Sequence, residues 1–584
     1  MTSSEYLNLR LSFLAATLAA SAPALIGFNQ PPSSTFYNQA AAAALWAVFV
    51  AVCAPAIAAS RRTAAPRAPA LRDAAPLLLA LALLALAAWL STAFGSLPPS
   101  LATAGVVSLA AAAVMVASGV AAAHSAQRGT LLQAFWIGWL VAGVLSAAIG
   151  VVQVFLPGLA DGNVIARSGL LGRAVGNLRQ PNHLSSLLLW SAIAVVPLLE
   201  ARRLPRAAAA ALMALLVFGI TLSGSRTGLV GMAVLTLWGL LDGRLQRPAR
   251  ALLLAVPLMF ALSWALMTVW AGQTAQTFGA ALHMAAGGDI SSSRFGIWRD
   301  TLSLITMHPW TGVGFGEFNF AWSLTPFPHR PVAFFDHTHN LPLQFAVELG
   351  LPLAALVLGL LAWGLWRAWR RSLEVAGAEG SAVRAAFMMV LMMALHSQLE
   401  YPLWYLYFLL PTAWAWGACL GAGRTPPAAA AATHPPLLLR AAGITMLVAA
   451  LAAVADYRRA VVIYAPPSDA APLAQRIREG QAAWLFGHQG DYAAATTAEP
   501  PSQAMPAFGR ATHNLIDTRL MIAWAKAYAG VGDLARARHL ADRLREFRNP
   551  NADAFFAECD DPARTPRPFQ CDPAPGPMDW RDFR

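Results

Sequence analysis

Residues 75–95 read APLLLALALLALAAWLSTAFG, an apolar stretch without a charged side chain. A helix of about 20 residues crosses the hydrocarbon core of a bilayer, so this stretch is long enough to span a membrane. Similar stretches recur from Leu11 to about Asp456, and they lack the alternating pattern of membrane β-strands. Because backbone groups in lipid must be paired within each span, we predict helices. The fold class is therefore all-α, a polytopic membrane helix bundle.

The overall composition agrees with a membrane protein and excludes a soluble one. Hydrophobic residues make up 57% of the 584 residues and charged residues only 12%, which is about half the charged share of a soluble domain. The net charge of +12 comes almost wholly from arginine, since Lys526 is the only lysine. These arginines lie in short loops, as topology signals do, and not in a basic groove, so we expect no nucleic-acid binding.

The arginines also orient the chain in the bilayer. With the N-terminus in the cytoplasm, the cytoplasmic segments hold most of the arginines, as the positive-inside rule requires. The first span is expected to stay uncleaved, because Arg10 alone is a weak signal-peptide n-region. We predict about thirteen spans, at residues 11–29, 39–59, 75–95, 100–123, 130–155, 183–200, 207–222, 227–242, 251–270, 341–365, 384–399, 402–421 and 439–456.

This topology divides the chain into two predicted domains. Residues 1–456 form a transmembrane domain, and residues 457–584 form a tail outside the cytoplasm. Two outer loops, 156–182 and 271–340, are long and show no obvious secondary structure, which is typical of functional loops. The expected bundle therefore presents its two long loops and its tail on one side of the membrane.

The tail is rich in charge and has a helical pattern. RLMIAWAKAYAGVGDLARARHLADRLREF predicts two amphipathic helices joined at Gly530–Asp533, similar to one tetratricopeptide-like hairpin. One such hairpin cannot bury its own apolar face, so we expect it to pack on other helices and to serve as a scaffold or docking surface. Cys559 and Cys571 lie in ECDDPARTPRPFQC, and a location outside the cytoplasm favours a disulfide between them.

The polar motifs collect on the outer face. The first long loop ends in RAVGNLRQPNHLSS, which holds Arg173, Arg179, Gln180, Asn182 and His183. The second contains SSSRFGIWRD with Arg294, then HPWTGVGFGEF, and closes with FDHTHNLPLQFAVELG. Two short turns, SGSRTG and HSQLEYPLWY, hold Arg226, His396, Gln398, Glu400 and Tyr401. We expect the function to reside on this face, since the cytoplasmic loops carry no comparable mixture of side chains.

Arg226 and Arg294 are the main candidates to bind an anionic group at the membrane surface, with Arg173 and Arg179 as secondary candidates. A guanidinium stays charged and offers forked donors that match phosphate oxygens. Such arginines can also snorkel to lipid headgroups or fix the topology. The positive-inside rule argues against this alternative for arginines on the outer face.

His337 and His339 precede a predicted span that carries Asn340, Gln344 and Glu348 at four-residue spacing, which stacks these side chains on one helix face. An ionisable Glu348 in an apolar span needs a partner and marks a candidate site. A histidine at this boundary can accept a proton from a hydroxyl near neutral pH. The spacing of the two histidines would also suit a metal ion, but no HExxH motif or cysteine pair supports one, and we expect none.

The motifs of the outer face, taken together, resemble those of a known family. HTHNLPLQFAVELG, with RFGIW, HPWTGVGFGEF and SGSR, resembles the O-antigen ligase and polymerase (Wzy_C) superfamily of bacterial inner-membrane proteins. GNLRQPNH, HSQLEYPLWYLYFLLP and the helical tail look more like its protein-glycosylating branch, the PglL-type O-oligosaccharyltransferases. The resemblance covers most of the chain from about Arg173 to Pro411 and, less specifically, the tail.

The resemblance implies a GT-C-like membrane glycosyltransferase of the bacterial inner membrane, with its active site and tail in the periplasm. It would move a glycan from undecaprenyl diphosphate to serine or threonine of periplasmic or pilin-like proteins. If transfer is a single displacement, attack opposite the leaving group inverts the anomeric centre, and preorganised arginines stabilise the leaving diphosphate without a metal or cofactor. By this resemblance His339 is the base, and Arg226 and Arg294 bind the diphosphate. The supporting residues would be Arg179, Gln180, Asn182, His183, His337, Asn340, Glu348, Glu400 and Tyr401.

Other functions remain open at the level of sequence. Within the superfamily the acceptor could be a lipid A core sugar, as in an O-antigen ligase, or another glycan repeat, as in a polymerase. From another class, a lipid-linked glycan transporter predicts polar residues through the membrane depth. The clustering of the polar motifs at one face favours an enzyme.

Overall fold

The computed structural model describes residues 3–59, 71–125, 127–285, 289–423, 436–561 and 564–584, and these residues form helices and no β-strand. The helices are α1 (Ser3–Leu25), α2 (Phe36–Ala59), α3 (Ala75–Phe94), α4 (Pro99–Ala123), α5 (Arg128–Phe155), α6 (Pro181–Glu200), α7 (Arg206–Ser223), α8 (Arg226–Leu241), α9 (Arg247–Leu254), α10 (Val256–Thr274), α11 (Gly279–Ala285), α12 (Asp289–Met307), α13 (Phe318–Leu324), α14 (Leu341–Ser372), α15 (Gly377–His396), α16 (Leu406–Gly421), α17 (Pro436–Tyr464), α18 (Leu473–Gln481), α19 (Gly487–Thr497), α20 (Met505–Ala511), α21 (Thr518–Gly530), α22 (Leu534–Phe547) and α23 (Asp553–Ala557). Short 3-10 turns connect several of them.

The membrane-spanning character of the chain is confirmed. Within the described residues, 10 helices are long and apolar enough to cross a bilayer. The other predicted spans coincide with shorter apolar helices at Arg10–Leu25, Arg226–Leu241 and Leu406–Gly421. The chain is therefore a polytopic helical membrane protein, while the total of thirteen spans stays a prediction.

The chain forms two compact units. The first unit consists of Met1–Leu81, Ala110–Gly287 and Leu360–Ala452, and the second of Ala82–Leu109, Gly288–Gly359 and Ala453–Arg584. The predicted division at residue 456, into a transmembrane domain and a periplasmic tail, stays a prediction.

Helix α6 lies at the centre of the first unit, since 94% of the residues in its most apolar stretch are buried. Small residues let its neighbours approach closely: a Cβ atom on Gly143 of α5 would overlap the Ser191 side chain of α6. A Cβ atom on Gly119 of α4 would likewise overlap the carbonyl oxygen of Trp414 in α16, and one on Gly417 of α16 would overlap that of Val116 in α4. Between membrane helices, such close van der Waals packing substitutes for the hydrophobic driving force that lipid removes.

The core of the second unit joins the 289–335 segment to the tail. Phe318, Phe320 and Trp322 of α13 are buried against a cluster that includes Trp524 of α21 and Phe547 of α22. The α21–α22 hairpin thus packs its apolar face on other helices, as the sequence predicted, and its similarity to a tetratricopeptide repeat stays a prediction. Cys559 and Cys571 form a disulfide with their Cα atoms 5.3 Å apart.

The expectation that the loop at 271–340 lacks secondary structure is wrong, because the described part of it contains α11, α12 and α13. Arg330, which follows α13, is fully buried and anchors this segment. Its Nη1 donates to the carbonyl of Trp322 at 3.0 Å, its Nε donates to Glu546 at 3.2 Å, and its guanidinium lies 4.4 Å from the centre of the Phe547 ring. Burial lowers the pKa of Arg330 to about 10, so it remains charged at neutral pH and holds the segment to α22.

The glycines of HPWTGVGFGEF fit this segment against a break in α14. Gly350 has φ +73°, and the carbonyls of Val347 and Glu348 accept from Val313 N at 2.8 Å and Gly314 N at 3.0 Å. In an unbroken helix these carbonyls would accept from residues 351 and 352. Leu351 N instead donates to Pro309 O at 2.8 Å, and residue 352 is a proline without an N–H. The glycine motif is therefore a packing motif.

Gly350→Ala is expected to lower the free energy of unfolding by about 1 to 3 kcal/mol, because the alanine would be strained at a positive φ. Its Cβ would also overlap the carbonyl oxygen of Trp310. Thermal unfolding of the full chain in detergent measures the effect. Gly359→Ala in the same helix is the matched control, since nothing lies within 4 Å of its Cβ position. Equal melting temperatures for the two variants would contradict this account of the motif.

Candidate functional site

The first group of predicted site residues lies in residues 335–340 of the second unit, which we call the histidine loop. Trp298 Nε1 of α12 donates to the carbonyl of Thr338 at 2.9 Å, and Thr338 N donates to Gln344 Oε1 of α14 at 2.8 Å. His339, the next residue, has φ +56°, a conformation that is uncommon for a side chain of this size. Since the surrounding bonds fix this conformation, the loop is preorganised in the way that functional sites commonly are.

The two histidines of this loop contact each other. His337 Nε2 lies 3.2 Å from His339 Nδ1, and the ring centres are 4.2 Å apart. His337 Nδ1 is hydrogen-bonded to the Asp336 carboxylate on its other side. Desolvation alone would raise the pKa of Asp336. The hydrogen bond to His337 and the charge of that histidine lower this pKa by more, so it lies below its ordinary value. The loop therefore holds an ionised carboxylate, a buried histidine and a half-buried histidine that are linked by successive hydrogen bonds.

Asn340 and Glu348 have structural partners in the second unit. Asn340 precedes α14, and its Oδ1 accepts from Leu343 N at 3.0 Å. Gln344 Nε2 donates to Glu348 Oε1 at 2.9 Å, and Phe318 N donates to the same oxygen at 3.4 Å. Gln344 and Glu348 thus stack on one face of α14 as predicted, and Glu348 has the partners that a carboxylate in an apolar helix requires.

Arg294 is half-buried on α12 of the second unit. It lies four residues before Trp298, and residues at this spacing share one helix face. Because Trp298 contacts the histidine loop, Arg294 lies on the same face of α12 as a residue that touches this loop. The second unit thus carries a candidate cation on the helix that contacts the loop of its candidate base.

The second group of predicted residues surrounds the SGSR turn of the first unit. Helix α7 ends at Gly224, whose φ of +59° is the left-handed conformation of a helix C-cap. Ser225 caps α8 by accepting from Gly228 N at 3.0 Å, so Arg226 is the first residue of that helix. The N-terminus of a helix carries a partial positive charge and free N–H groups, which favours an anion there.

A polar network joins three of the sequence motifs around this turn. Ser225 Oγ donates to Asn182 Oδ1 at 2.6 Å, and Asn182 Nδ2 donates to Glu400 Oε1 at 3.1 Å. Asn182 and Glu400 therefore lie in one chain of hydrogen bonds with the cap of α8. The motifs RQPNH, SGSR and HSQLEY are far apart in the sequence, yet together they fix the position from which Arg226 extends.

Arg173 and His283 lie near Arg226. Arg173 Nε donates to the carbonyl of Ser223 at 3.0 Å and its Nη2 to that of Gly224 at 3.3 Å. Burial lowers the pKa of Arg173, and the charge of Arg226 lowers it further. The pKa of His283 on α11 is also lowered, mainly by burial and then by the charges of Arg173 and Arg226.

This cluster of Arg173, Arg226 and His283 is a candidate anion site. Among the described side chains, no ion pair links any of the three to a carboxylate. Sequence reasoning missed His283, because a lone histidine in ALHMA carries no motif. Only the packing of Gly279, at the start of α11, against residues 171–173 brings it near the arginines.

Other predicted residues hold the backbone in place. Arg179 donates to the carbonyls of Ser34, Gly27 and Gly162. Gln180 is the N-cap of α6, and its side chain accepts from His183 N at 2.7 Å. His183 is buried, with Nδ1 3.0 Å from the Tyr407 hydroxyl. Tyr401 packs against Tyr405 with ring centres 5.7 Å apart. These contacts are those of residues that shape a site indirectly.

Comparison with known families agrees with the motifs. The model described as O-antigen ligase matches residues 211–358, which include Arg226, Arg294 and His339. The model described as protein glycosylation ligase matches residues 174–199, and that described as virulence factor membrane-bound polymerase, C-terminal, matches residues 384–558. Over these residues the chain is similar to O-antigen ligases and protein glycosylation ligases. The resemblance that the motifs indicated is thereby confirmed.

Two curated proteins of Acinetobacter baylyi are similar to part of this chain. A general O-oligosaccharyltransferase is 31% identical over 256 residues, which cover 42% of this chain and 43% of the relative. A ComP-specific O-oligosaccharyltransferase is 25% identical over 257 residues, which cover 42% of this chain and 44% of the relative. The chain thus spans less than half the length of either curated relative that it matches.

Proposed function

We propose that this protein is an O-linked protein oligosaccharyltransferase, a glycosyltransferase that moves a glycan from undecaprenyl diphosphate to serine or threonine of periplasmic proteins. The observation that carries the proposal is the hydrogen-bonded chain from Ser225 through Asn182 to Glu400. It unites the ligase motif SGSR with the two segments that resemble the protein-glycosylating branch. The similarity to two O-oligosaccharyltransferases supports the same acceptor class.

The anion cluster of the first unit suits the donor. When the glycan leaves, negative charge develops on the diphosphate oxygen, and preorganised cations stabilise that charge without rearrangement. Arg226 is held at the N-terminus of α8, and Arg173 is fixed by two backbone carbonyls. We assign diphosphate binding to Arg226 and Arg294, with Arg173 adding positive charge near Arg226 and the neutral His283 offering a hydrogen-bond donor there.

The histidine loop suits the acceptor. In a single displacement, the acceptor oxygen bonds to the anomeric carbon while the bond from that carbon to the diphosphate oxygen breaks. The electron pair leaves with the diphosphate, and the hydroxyl proton passes to His339. Attack from the face opposite the leaving group inverts the anomeric centre. This chemistry needs a base and charge stabilisation and no metal or cofactor.

The proposed setting is the bacterial inner membrane, with the reaction on the periplasmic face. The excess of arginine in the segments predicted to be cytoplasmic supports this orientation. The donor would approach along the bilayer, and periplasmic or pilin-like acceptors would approach from the aqueous side, where the tail offers a docking surface.

A second candidate function differs only in the acceptor. The O-antigen ligase match over residues 211–358 favours transfer to a lipid A core sugar, and the polymerase match over residues 384–558 favours transfer to another glycan repeat. Both would use the same base and the same cations.

The test is to reconstitute the full chain with an undecaprenyl-diphosphate-linked oligosaccharide and periplasmic acceptor proteins, then to measure intact protein mass. We expect a mass increase of one glycan on serine or threonine. Sugar that appears only on lipid A core, or only as a longer polymer, would move the protein to the ligase or polymerase function. An absence of transfer to every acceptor would contradict the assignment as a glycosyltransferase.

A further inference from the structure

The histidine loop contains a relay that the proposed mechanism does not yet use. Asp336, His337 and His339 follow one another through hydrogen bonds: carboxylate to Nδ1 of His337, then Nε2 of His337 to Nδ1 of His339. We propose that Asp336 and His337 are positioning residues that select Nε2 of His339 as the atom that receives the acceptor proton. The inference rests on the proposed function, in which His339 is the base.

The proton positions along this relay follow from the chemistry of the groups. An ionised carboxylate only accepts hydrogen bonds, so Nδ1 of His337 must carry the hydrogen that it donates to Asp336. A neutral imidazole has one donor and one acceptor nitrogen, which makes Nε2 of His337 an acceptor. It can then accept only from Nδ1–H of His339. In neutral His339 the remaining nitrogen, Nε2, is therefore the basic one.

The relay also fixes the orientation of the ring that reacts. His337 is buried with 6% of its side chain exposed, and its ring lies at 60° to that of His339. Thr338, between the two histidines, is tied to both α12 and α14. Because the backbone and one ring nitrogen are held, His339 cannot turn its other nitrogen toward the acceptor without breaking a bond of the relay.

The carboxylate at the start of the relay opposes the positive charge that His339 gains with the proton. Its side chain is 52% exposed, so water screens this effect, and a modest one is expected. Within the second unit, the helices that contact the loop through Trp298 and Gln344 carry the ionisable side chains Arg294 on α12 and Glu348 on α14. Glu317, which precedes α13, is paired with His513 at 2.6 Å. None of these groups changes in the variants below, so a difference between variants reports on the relay.

Asp336→Asn is the decisive variant, and transfer kinetics are measured from about pH 5 to pH 9. An asparagine can present Nδ2 to His337 and so favours the wrong tautomer of both rings. We expect kcat to fall by about 10- to 100-fold, less than in a buried protease triad because this carboxylate is half exposed and one ring further away. We expect KM for the donor and the melting temperature to stay near wild type.

The pH profile gives a second readout with a defined sign. Loss of the Asp336 charge removes a stabilising partner of the imidazolium that His339 forms in the reaction. The acid limb of kcat/KM in Asp336→Asn is therefore expected to move to lower pH, by roughly 1 unit. Asp336→Glu keeps the charge and should keep the acid limb in place. Glu479→Gln, which removes an exposed carboxylate of the same unit, is the matched control.

His337 provides a separate test of the same relay. In His337→Gln the amide nitrogen can donate to Asp336 while the amide oxygen accepts from His339, so both bonds are retained. In His337→Leu both bonds are lost. We expect the glutamine variant to retain at least about 10-fold more activity than the leucine variant.

The outcomes separate the relay from the proposed function. An Asp336→Asn variant with wild-type kcat and an unmoved acid limb would overturn the relay, as would a lowered kcat that merely follows a lowered melting temperature. Equal loss in the two His337 variants would also overturn it. The proposed function fails by a different result, namely full transfer by a variant that lacks His339.

Discussion

Replacement of His339 is expected to reduce the rate of glycan transfer by about 10³-fold, within the range that a general base contributes. The acceptor hydroxyl would have to lose its proton to water, while donor binding at the arginines would persist. His339→Ala tests the base directly. Because residue 339 has φ +56°, His339→Asn is the second variant, since asparagine tolerates the left-handed conformation.

The measurement is the initial rate of transfer to an acceptor protein at saturating donor, with melting temperature as the check on folding. His329→Ala is the matched control, because His329 is an exposed histidine of the same unit. We expect this control to transfer glycan at the wild-type rate. If both His339 variants fold and transfer at the wild-type rate, another group accepts the proton and the base assignment is wrong.

Arg226→Ala is expected to lower kcat/KM by about 10²- to 10³-fold, the magnitude typical of removing one preorganised charge stabiliser. The remaining Arg173 would still attract the diphosphate, so binding should weaken less than the rate. Arg226→Lys keeps the charge but loses the forked donors, and an intermediate activity is expected.

Transfer kinetics and the affinity for the undecaprenyl-diphosphate-linked donor are measured together. Arg203→Ala serves as the control, since Arg203 is an exposed arginine of the same unit whose loss removes equal charge. Unchanged donor affinity and unchanged kcat/KM in Arg226→Ala would contradict diphosphate binding by this residue. A fall of the same size in Arg203→Ala would mean that general surface charge, and not the cluster at the SGSR turn, governs the donor.

The sequence predicted the helices of this protein well, because their signals are local. The apolar stretch at 75–95 corresponds to α3, Ala75–Phe94, and the hairpin predicted in the tail corresponds to α21 and α22. Length and apolar composition decide whether a segment spans a bilayer, and amphipathic periodicity decides which face it buries. Neither property depends on the distant parts of the chain.

The site was predictable in its residue types but not in its connections. The sequence singled out Asn182, Arg226 and Glu400 as residues of separate motifs. In the fold of the first unit, Ser225 is hydrogen-bonded to Asn182, and Asn182 is hydrogen-bonded to Glu400. His283 had no signal at all, since it enters the cluster only through the packing of α11. The role of the glycines near residue 314, which lie in the segment that pairs with the broken turn of α14, was likewise visible only in the fold.

The sequence by itself determined that this protein is a helical membrane protein with its polar motifs at the ends of apolar helices, and its arginines predicted an orientation in the bilayer. Hydrophobic length and charge asymmetry are summed along the chain, so they can be derived without coordinates. Only the tertiary structure decided which polar groups share hydrogen bonds, as Asp336, His337 and His339 do. Such bonds require donor and acceptor within about 3 Å and in line, a condition set by packing and by the backbone conformation of a few residues.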